Sequence, residues 1–517
     1  MKGWVPSGVE YIADILSRSE GTFFVYGDPD VDGLFSTQFV LLLLKSFNKD
    51  YEVFINENRA HGFFYEDIKS LSGRTVIAVD FSITPDKLKL LQENNVKLIN
   101  IDHHEILNKE QVTYSCDGTH VDGVVVNNQY CFEPEEHRYL SGAGVVYYAF
   151  CALVAGFDTE LTRALVGLTL LSDIRPLENP YAREFLKTCY KCRHPYILRL
   201  VELTRAEKDY NFGVPSMERN YIDYTFSPKI NALFRLNLGN VALDIIQGKD
   251  PPFSLSDARD VQNQVCDYIY SNLKNPFDIN GLLNTAEEGI VQVPKFVDNG
   301  LGGQTKLVST ALDGLTMCFV EDTPITNATY KLSNFIGLTC SHLKGTGNST
   351  VVYVGTADVI VRGSFRGRCD TVNYLQLFRK YGMTCAGHEN AFGILNCRLA
   401  DVDFIGLIKE LKQLEAIAIE QEYANRITET SNFAMFTRTQ LLKDIALTNI
   451  YVRDRYRVYI KYTGTNIVRK TMGKMWEYTI DGVHVKCFDA DINPSNGYIL
   501  PIYDRGILSF YLKNIKK

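Results

Sequence analysis

The sequence predicts an α/β protein. A parallel-sheet domain is joined by a helical connector to a second, smaller α/β domain, and a small all-β domain follows. Three observations carry this. Short apolar runs alternate with helical segments from Thr22 to about Phe150. Strands alternating with helices imply βαβ units and a sheet covered on both faces. The stretch 195–274 reads as largely helical, and after about Thr428 the pattern turns to period two with turn residues between the runs. The expected divisions are 1–200, 201–275, 276–427 and 428–517, in keeping with the three or four domains that 517 residues suggest.

The elements follow in order. FFVYG (Phe23–Gly27) reads as a buried strand and Leu34–Phe47 as a helix. YEVFI (Tyr51–Ile55), TVIAVD (Thr75–Asp80) and VKLINID (Val96–Asp102) are further strands, with a helix over Thr84–Asn94. Ligand sites of open α/β sheets lie outside the carboxyl ends of the strands. That rule points to Asp28, Asp80 and Asp102. The connector closes with an amphipathic stretch, Ser254–Lys274. The second α/β segment holds the strand VVYVG (Val351–Gly355). It ends in a helix near Asp403–Ala424, with Leu407, Leu411, Leu414 and Ala418 on one face. In the tail, RVYIKY (Arg457–Tyr462) alternates, and EYTIDGVHVKCF (Glu477–Phe488) is a hairpin turning at Asp481-Gly482. Tyr498–Leu512 reads as another hairpin.

Composition narrows the class. At 45% hydrophobic and 22% charged the chain is an ordinary folded protein. A net charge of −7 excludes a uniformly basic nucleic-acid-coating protein, though not a local basic groove. The apolar stretch Phe39–Leu44, like every other in the chain, is far short of the ~18 residues of a membrane span. The first residues lack a charged-then-apolar signal pattern, so a cytoplasmic protein with no membrane partner is expected. Twelve scattered cysteines read as reduced core thiols. Cys189, Cys192 and His194 have zinc-like spacing, but no second C-x-x-C completes a structural site.

Four acidic elements carry chemistry. GDPDVDG (Gly27–Gly33) sets Asp28, Asp30 and Asp32 in alternation after a strand. Taken alone, it is equally a solvated turn or a helix N-cap. IDHHE (Ile101–Glu105) ends a strand in Asp102, His103 and His104, which alone reads equally as a metal-binding histidine held by a neighbouring carboxylate or as a capping acid beside surface histidines. Asp80 closes VIAV, and Asp173 closes the apolar run at 165–172. Together they offer six aspartates and two imidazoles at the ends of four buried elements. So much like charge in one place needs cations. Oxygen and imidazole donors without thiolate favour Mn²⁺ or Mg²⁺, and their number fits two ions sharing a carboxylate, the usual device for phosphodiester hydrolysis. In the tail, basic residues (Arg453, Arg455, Arg457, Lys461, Arg469, Lys470, Lys474) interleave with Tyr451, Tyr456, Tyr459 and Tyr462. That fits a single-strand groove, or equally a sheet with one solvated charged face.

At these residues the chain resembles the DHH phosphoesterase family, named for the triplet found here at Asp102-His103-His104. Within that family it resembles the RecJ-like, single-strand-specific exonucleases with a DHHA1 substrate-binding domain. GDPDVDG, VIAVDFSI, IDHHE, the stretch VNNQY with LSGAGVVYYAF (Leu140–Phe150), and LLSDIRPLENPYAR match its motifs in order. FSPKINALFRL (Phe226–Leu236), GSFRG (Gly363–Gly367) and AGHENAFG (Ala386–Gly393) extend the match to about three-quarters of the chain. The resemblance implies a 5′→3′ exonuclease of single-stranded DNA using two Mn²⁺ or Mg²⁺ ions in replication, repair or recombination. A single-strand-binding protein or a helicase would be its protein partner.

The implied metal ligands are Asp28, Asp30, Asp32, Asp80, His103 and Asp173, with Asp80 bridging. Asp102 would orient a histidine, and His104 would contact the scissile phosphate or assist the leaving oxygen. Arg59, Ser364, Arg366, Gly387, His388, Lys229 and Arg235 are the implied substrate-binding residues. The chain departs from the pattern at four places. Tyr26 stands where smaller family members carry a histidine, Lys229 where the motif has arginine, and Phe234 and Ala386 where it has glycine. The β tail occupies the place of an OB-fold. Two other readings share features of this sequence. One is a phosphodiesterase of short oligonucleotides or cyclic dinucleotides. The other is a non-catalytic scaffold, against which the retained acidic positions argue.

Overall fold

The structure is a computed structural model. It describes the chain except for residues 1–3, 57–61, 107–109, 176, 178, 206–216, 218, 275–289, 299–303, 313–314, 324–327, 329, 345–347, 452–456, 473–474, 488–496, 505–506 and 514–517. Arg59, Arg453, Arg455, Tyr456 and Lys474 lie outside the described residues.

Helix α1 (Val9–Arg18) leads into an alternation of strands β1 (Phe23–Gly27), β2 (Tyr51–Ile55), β3 (Thr75–Val79) and β4 (Lys97–Asp102) with helices α2 (Val31–Ser46), α3 (Tyr65–Ser70) and α4 (Pro85–Glu93). Strands β5 (Thr113–Tyr114) and β6 (Gly123–Asn127) complete a six-stranded sheet of order β2-β1-β3-β4-β6-β5, antiparallel only at β5. Every residue of β3 and β6 is buried, as expected of strands covered on both faces. Register does the positioning. Gly27 pairs with Val79 and Val79 with Ile101, so Asp28, Asp80 and Asp102 form one row at the carboxyl edge. Two helices close over that edge, α5 (Gly142–Leu153) and α6 (Glu160–Ser172). Ser141 caps α5 by accepting from the Gly144 amide at 3.3 Å, and Thr159 caps α6.

Helices α7 (Pro180–Lys191), α8 (Pro195–Thr204), α9 (Ser227–Arg235), α10 (Gly239–Ile246) and α11 (Leu255–Ser271) form the helical stretch. On α11, Leu255, Ala258, Gln262, Val265, Cys266 and Ile269 share the buried face. A second, seven-stranded sheet follows, with β7 (Ile290–Asp298), β8 (Gln304–Leu312), β9 (Leu315–Val320), β10 (Ser349–Gly355), β11 (Val359–Arg366), β12 (Cys385–His388) and β13 (Ala391–Arg398). Its order is β12-β13-β11-β10-β9-β8-β7, parallel only between β9 and β10. Helices α12 (Ile336–Lys344) and α13 (Tyr374–Lys380) belong to it, and α14 (Phe404–Asn425) follows.

The chain forms two compact units. Met1–Arg175, Asn179–Arg368 and Asn373–Leu411 make the first, so both sheets described above and the helices between them pack as one body. Pro176–Glu178, Cys369–Val372 and Lys412–Lys517 make the second. Its sheet has seven strands from Ile427 to Lys513, with the hairpin turning at Asp481 (φ 47°) and Gly482 (φ 82°) as its sequence predicts. This unit also holds a helix, α15 (Gln440–Tyr451), that the period-two pattern did not reveal. Leu442, Ile445 and Ala446 bury its inner face. Asn449, fully buried, donates to the carbonyls of Val458 and Pro501, each at 2.9 Å.

All twelve cysteines are free and nine are buried, as expected of core thiols. His194 caps α8 by accepting from the Tyr196 amide, and no metal-capable cluster among the described residues includes Cys189 or Cys192. Among the described residues, no helix is long and apolar enough to cross a membrane.

Candidate metal centre

The row of strand ends becomes a cluster through the contacts of Asp32, Asp30 and His103. The N-terminus of α5 captures Asp32, whose carboxylate accepts from the Gly142 amide at 2.6 Å and the Ala143 amide at 3.0 Å. Amides at a helix N-terminus favour negative charge there. The side chain of Asp30 accepts from the Gly33 amide at 3.0 Å and caps α2. It is therefore both the helix cap that its sequence context allows and a member of the cluster. His103 follows β4 directly and turns its Nε2 toward three carboxylates, 3.1 Å from Asp80, 3.7 Å from Asp173 and 3.8 Å from Asp32.

Donor atoms group in overlapping sets. Asp32, Asp80 and His103 place ligand atoms within 4.8 Å of one another, and so do Asp28, Asp30 and Asp80. Asp80 belongs to both sets and also to a third with Asp102 and His104. Its backbone is left-handed (φ 67°), an uncommon conformation that aspartate tolerates better than most residues. Gly142 makes its position possible, since a Cβ there would lie 2.3 Å from Asp80 Oδ1.

The electrostatics of the cluster are unfavourable without a cation. Burial, then the neighbouring carboxylates, push Asp32 and Asp80 well above the usual carboxylate range. Burial, then the cations of His104 and Arg175, drive His103 well below its ordinary value. A neutral His103 therefore aims Nε2 at three acidic side chains, while Asp80 Oδ1 is buried without a hydrogen-bond donor. Divalent cations resolve both problems, and the oxygen and imidazole donors suit Mn²⁺ or Mg²⁺.

Beside the cluster lies a second set of interactions. Asp102 accepts from Ser82 Oγ at 2.8 Å on one oxygen, and its other oxygen lies 2.7 Å from His104 Nδ1. Asn127 Nδ2 donates to the His104 carbonyl at 3.0 Å and fixes the same turn. Burial alone would lower His104, but the Asp102 carboxylate outweighs it and raises the imidazole to about 9. From the second sheet, His388 stacks on His104 with ring centres 5.0 Å apart and planes 14° from parallel. Burial, with the charge of His104, lowers His388 to about 3, so a neutral ring faces a protonated one. Gly387 makes this approach possible. Its φ is +138°, and a Cβ would come within 2.8 Å of the Phe392 backbone.

Asp28, Asp30, Asp32, Asp80, Asp102, His103, His104, Asp173 and His388 are thus brought together. Ser364 and Arg366 lie on β11. Arg366 donates to Ser364 Oγ at 2.9 Å and to Ser341 Oγ at 3.2 Å, and its charge acts on His388. Lys229 is placed differently from the expectation of a channel-lining cation. It is 5% exposed, and its ammonium donates to the Thr204 carbonyl at 2.7 Å and Ser256 Oγ at 2.8 Å, tying α8 to α11. Burying an ammonium is costly unless its donors are satisfied, and these contacts satisfy two of them. Arg235 donates to Gln262 Oε1 at 2.8 Å against α11, outside the acidic cluster. Tyr26 packs among Phe54 and Phe63, with ring centres 5.0 and 4.9 Å away.

Sequence reasoning missed Ser82, Asn127, Gly142 and Arg175. Arg175 donates to the carbonyls of Arg138 and Tyr139 at 2.8 and 3.3 Å, and lies 3.8 Å from Asp173. A signal existed for Gly142, because Ser-Gly-Ala-Gly opening an apolar run marks a capped helix start. Nothing local marks Arg175. It follows a tight helix ending in which Asp173 is the C-cap and Ile174 takes a left-handed φ of 60°. There the Ile174 amide bonds the Leu171 carbonyl at 3.1 Å, and the Arg175 amide bonds the Leu170 carbonyl at 2.9 Å.

The parallel sheet, with its acidic carboxyl edge ending in Asp-His-His, defines a DHH-type domain, and residues 22–172 match the DHH family, N-terminal domain. That matched segment is under a third of the chain, and beyond it the chain is similar to RecJ exonucleases. The single-stranded-DNA-specific exonuclease RecJ of Bacillus subtilis is 23% identical over 257 residues, covering 48% of this chain and 31% of that protein. The match thus spans under a third of the relative's length. In fold, the chain is similar to RecJ from Thermus thermophilus in complex with Mn²⁺. The TM-score is 0.60 at 16% identity, over 99% of this chain and 71% of that one. A second structure, of exonuclease RecJ bound to manganese, gives a TM-score of 0.50 at 18% identity, over 80% of this chain and 95% of that one.

Proposed function

We propose that this chain is a metal-dependent 5′→3′ exonuclease that hydrolyses phosphodiester bonds of single-stranded DNA at a site for two Mn²⁺ or Mg²⁺ ions. The observation that carries the reading is Asp80, a buried carboxylate shared by two acidic donor sets. Asp28 and Asp30 would hold one ion with Asp80; Asp32, His103 and Asp173 would hold the other. Bound ions would polarise the phosphate and neutralise its charge.

The remaining steps belong to the chain's own residues. Asp102 accepts from Ser82 and fixes the His104 ring, so that His104 presents Nε2 to the phosphate as a charged donor. From there it binds a phosphate oxygen or passes its proton to the leaving oxygen. His388, neutral, closes the other face of that ring and offers a second donor. Ser364 and Arg366 add hydroxyl and guanidinium donors from the second sheet, and Arg59 is the proposed contact for the terminal phosphate. The four-part division into catalytic domain, connector, substrate-binding domain and β domain is part of the same reading.

The test is digestion of matched single-stranded DNA and RNA, labelled at either end, with Mn²⁺ and with Mg²⁺. Stepwise loss of nucleotides from the 5′ end of long DNA is expected. Activity confined to two- to five-mers would replace the exonuclease with an oligonucleotide phosphodiesterase. No hydrolysis with either metal, unchanged by Asp80→Ala, would make the chain a scaffold.

A further inference from the structure

The turn that ends α6 poses a question that the metal centre does not answer. Asp173 and Arg175 both turn inward, each with its side chain only 15% exposed. Ile174 between them turns outward, and is 53% exposed. Its left-handed backbone, with the two hydrogen bonds that close the turn, defines a motif whose residue at this position is usually glycine. A β-branched residue there is a genuine conformational outlier, because its Cβ crowds the following carbonyl. Glycine would make the same turn without strain and would send Asp173 and Arg175 to the same places. The turn therefore does not need the isoleucine side chain. Nor does the core, since that side chain is more than half in solvent. Backbone strain of this kind collects at functional sites.

We infer that Ile174 is an apolar contact for a nucleobase of the substrate strand beside the acidic cluster. The inference rests on the proposed nuclease function and adds a base-contacting residue to it. The side chains proposed above for the phosphate, His104, His388, Ser364 and Arg366, are polar or charged. A single strand passing this site also carries flat apolar bases, which gain from losing water against a branched aliphatic surface. Ile174, next in sequence to Asp173, is the exposed apolar side chain at this turn. Such a contact acts through dispersion and desolvation, so it tolerates any base.

Three variants of the full chain test this: Ile174→Gly, Ile174→Ala and Ile174→Leu. For Ile174→Gly the melting temperature should hold or rise. On a single-stranded DNA oligonucleotide with Mn²⁺, its KM should rise about tenfold with little change in kcat, the pattern of lost uniform binding. Ile174→Leu should recover most of the affinity, and Ile174→Ala should fall between. Strands carrying one abasic site at each of the first three positions in turn complete the test. At one position the wild type should lose about as much affinity as Ile174→Gly loses on the intact strand, and the variant should lose nothing more. A melting temperature that falls in Ile174→Gly would assign the side chain to packing and overturn the inference. So would an unchanged KM, or equal further losses for variant and wild type at every abasic position. Wild-type protein that cuts no strand at all would instead overturn the nuclease reading.

Discussion

Gly142→Ala is the sharpest available probe of the cluster, because it adds one methyl group and removes nothing. The amide that donates to Asp32 at 2.6 Å remains, and alanine suits the first turn of α5. The new Cβ would sit 2.3 Å from Asp80 Oδ1, 2.8 Å from its Cγ and 2.9 Å from its Cβ, against ordinary contacts of 3.4–4 Å. Because the Asp80 Cβ is itself too close, rotating the carboxylate does not relieve the clash. The residue must shift by about 1 Å, a displacement that costs on the order of 100-fold in rate when it falls on positioned catalytic groups. That corresponds to about 2.7 kcal/mol in the barrier. The assay is Mn²⁺-supported turnover of single-stranded DNA, run beside calorimetric Mn²⁺ binding and a melting curve. The expectation is at least a 100-fold loss of kcat and weakened Mn²⁺ binding in a protein that still folds. Gly144→Ala is the control on the same helix. Its Cβ would meet only Leu140, at 2.9 Å from Cδ2 and 3.1 Å from Cβ, an apolar residue outside the acidic cluster, so the cost should fall on packing and turnover should stay within a few-fold. Gly142→Ala with near wild-type turnover and Mn²⁺ affinity would refute the placement of Asp80 at the centre of the site.

Two further outcomes can be checked by stability measurements. Asp80 has a raised pKa, caused first by burial and then by Asp32, Asp30, Asp28 and Asp173, so forcing it to ionise without metal destabilises the fold. Asp80→Asn should therefore melt higher than wild type in EDTA near pH 8. It should melt lower with Mn²⁺ at 100 times its Kd, where the wild type gains about 2.7 kcal/mol; the same order in both buffers would contradict this. His137 stacks on Trp4 with ring centres 4.3 Å apart, and burial holds its pKa below the ordinary value. The unfolded chain then binds the extra proton first, so stability is fully present above pH ~6.5 and is lost as pH falls below it. Denaturant unfolding followed by Trp fluorescence should show that slope in wild type and a flatter one in His137→Phe.

What could be read from the chain, and what could not, follows from range. The strand ends of the first sheet were legible because each motif is local: an apolar run of five or six residues closing on an acid or histidine. Register then needed only the βαβ rule to set Asp28, Asp80 and Asp102 in a row. The capture of Asp32 by α5 joins residues 110 positions apart, and no spacing rule reports it. Lys229 was misplaced for a related reason. A basic residue in a phosphate-binding motif reads as exposed, whereas here α8 and α11 supply two acceptors that make its burial tolerable. The helix Gln440–Tyr451 went unseen because its apolar positions are flanked by strong strand and turn signals. Ile174 carries no sequence signal. Only the backbone angle shows that it stands in a position usually filled by glycine.

The stacking of His388 on His104 has a consequence in time as well as space. The cluster's carboxylates are all translated by Asp173, but the histidine that stacks on His104 comes 215 residues later. At synthesis rates of roughly 5–20 residues per second, that interval is on the order of 10–40 seconds. During it a nascent chain can fold its first sheet and gather its acids with no His388 ring beside them. On the proposed nuclease reading, the site would gain its donors from the second sheet only once that sheet folds.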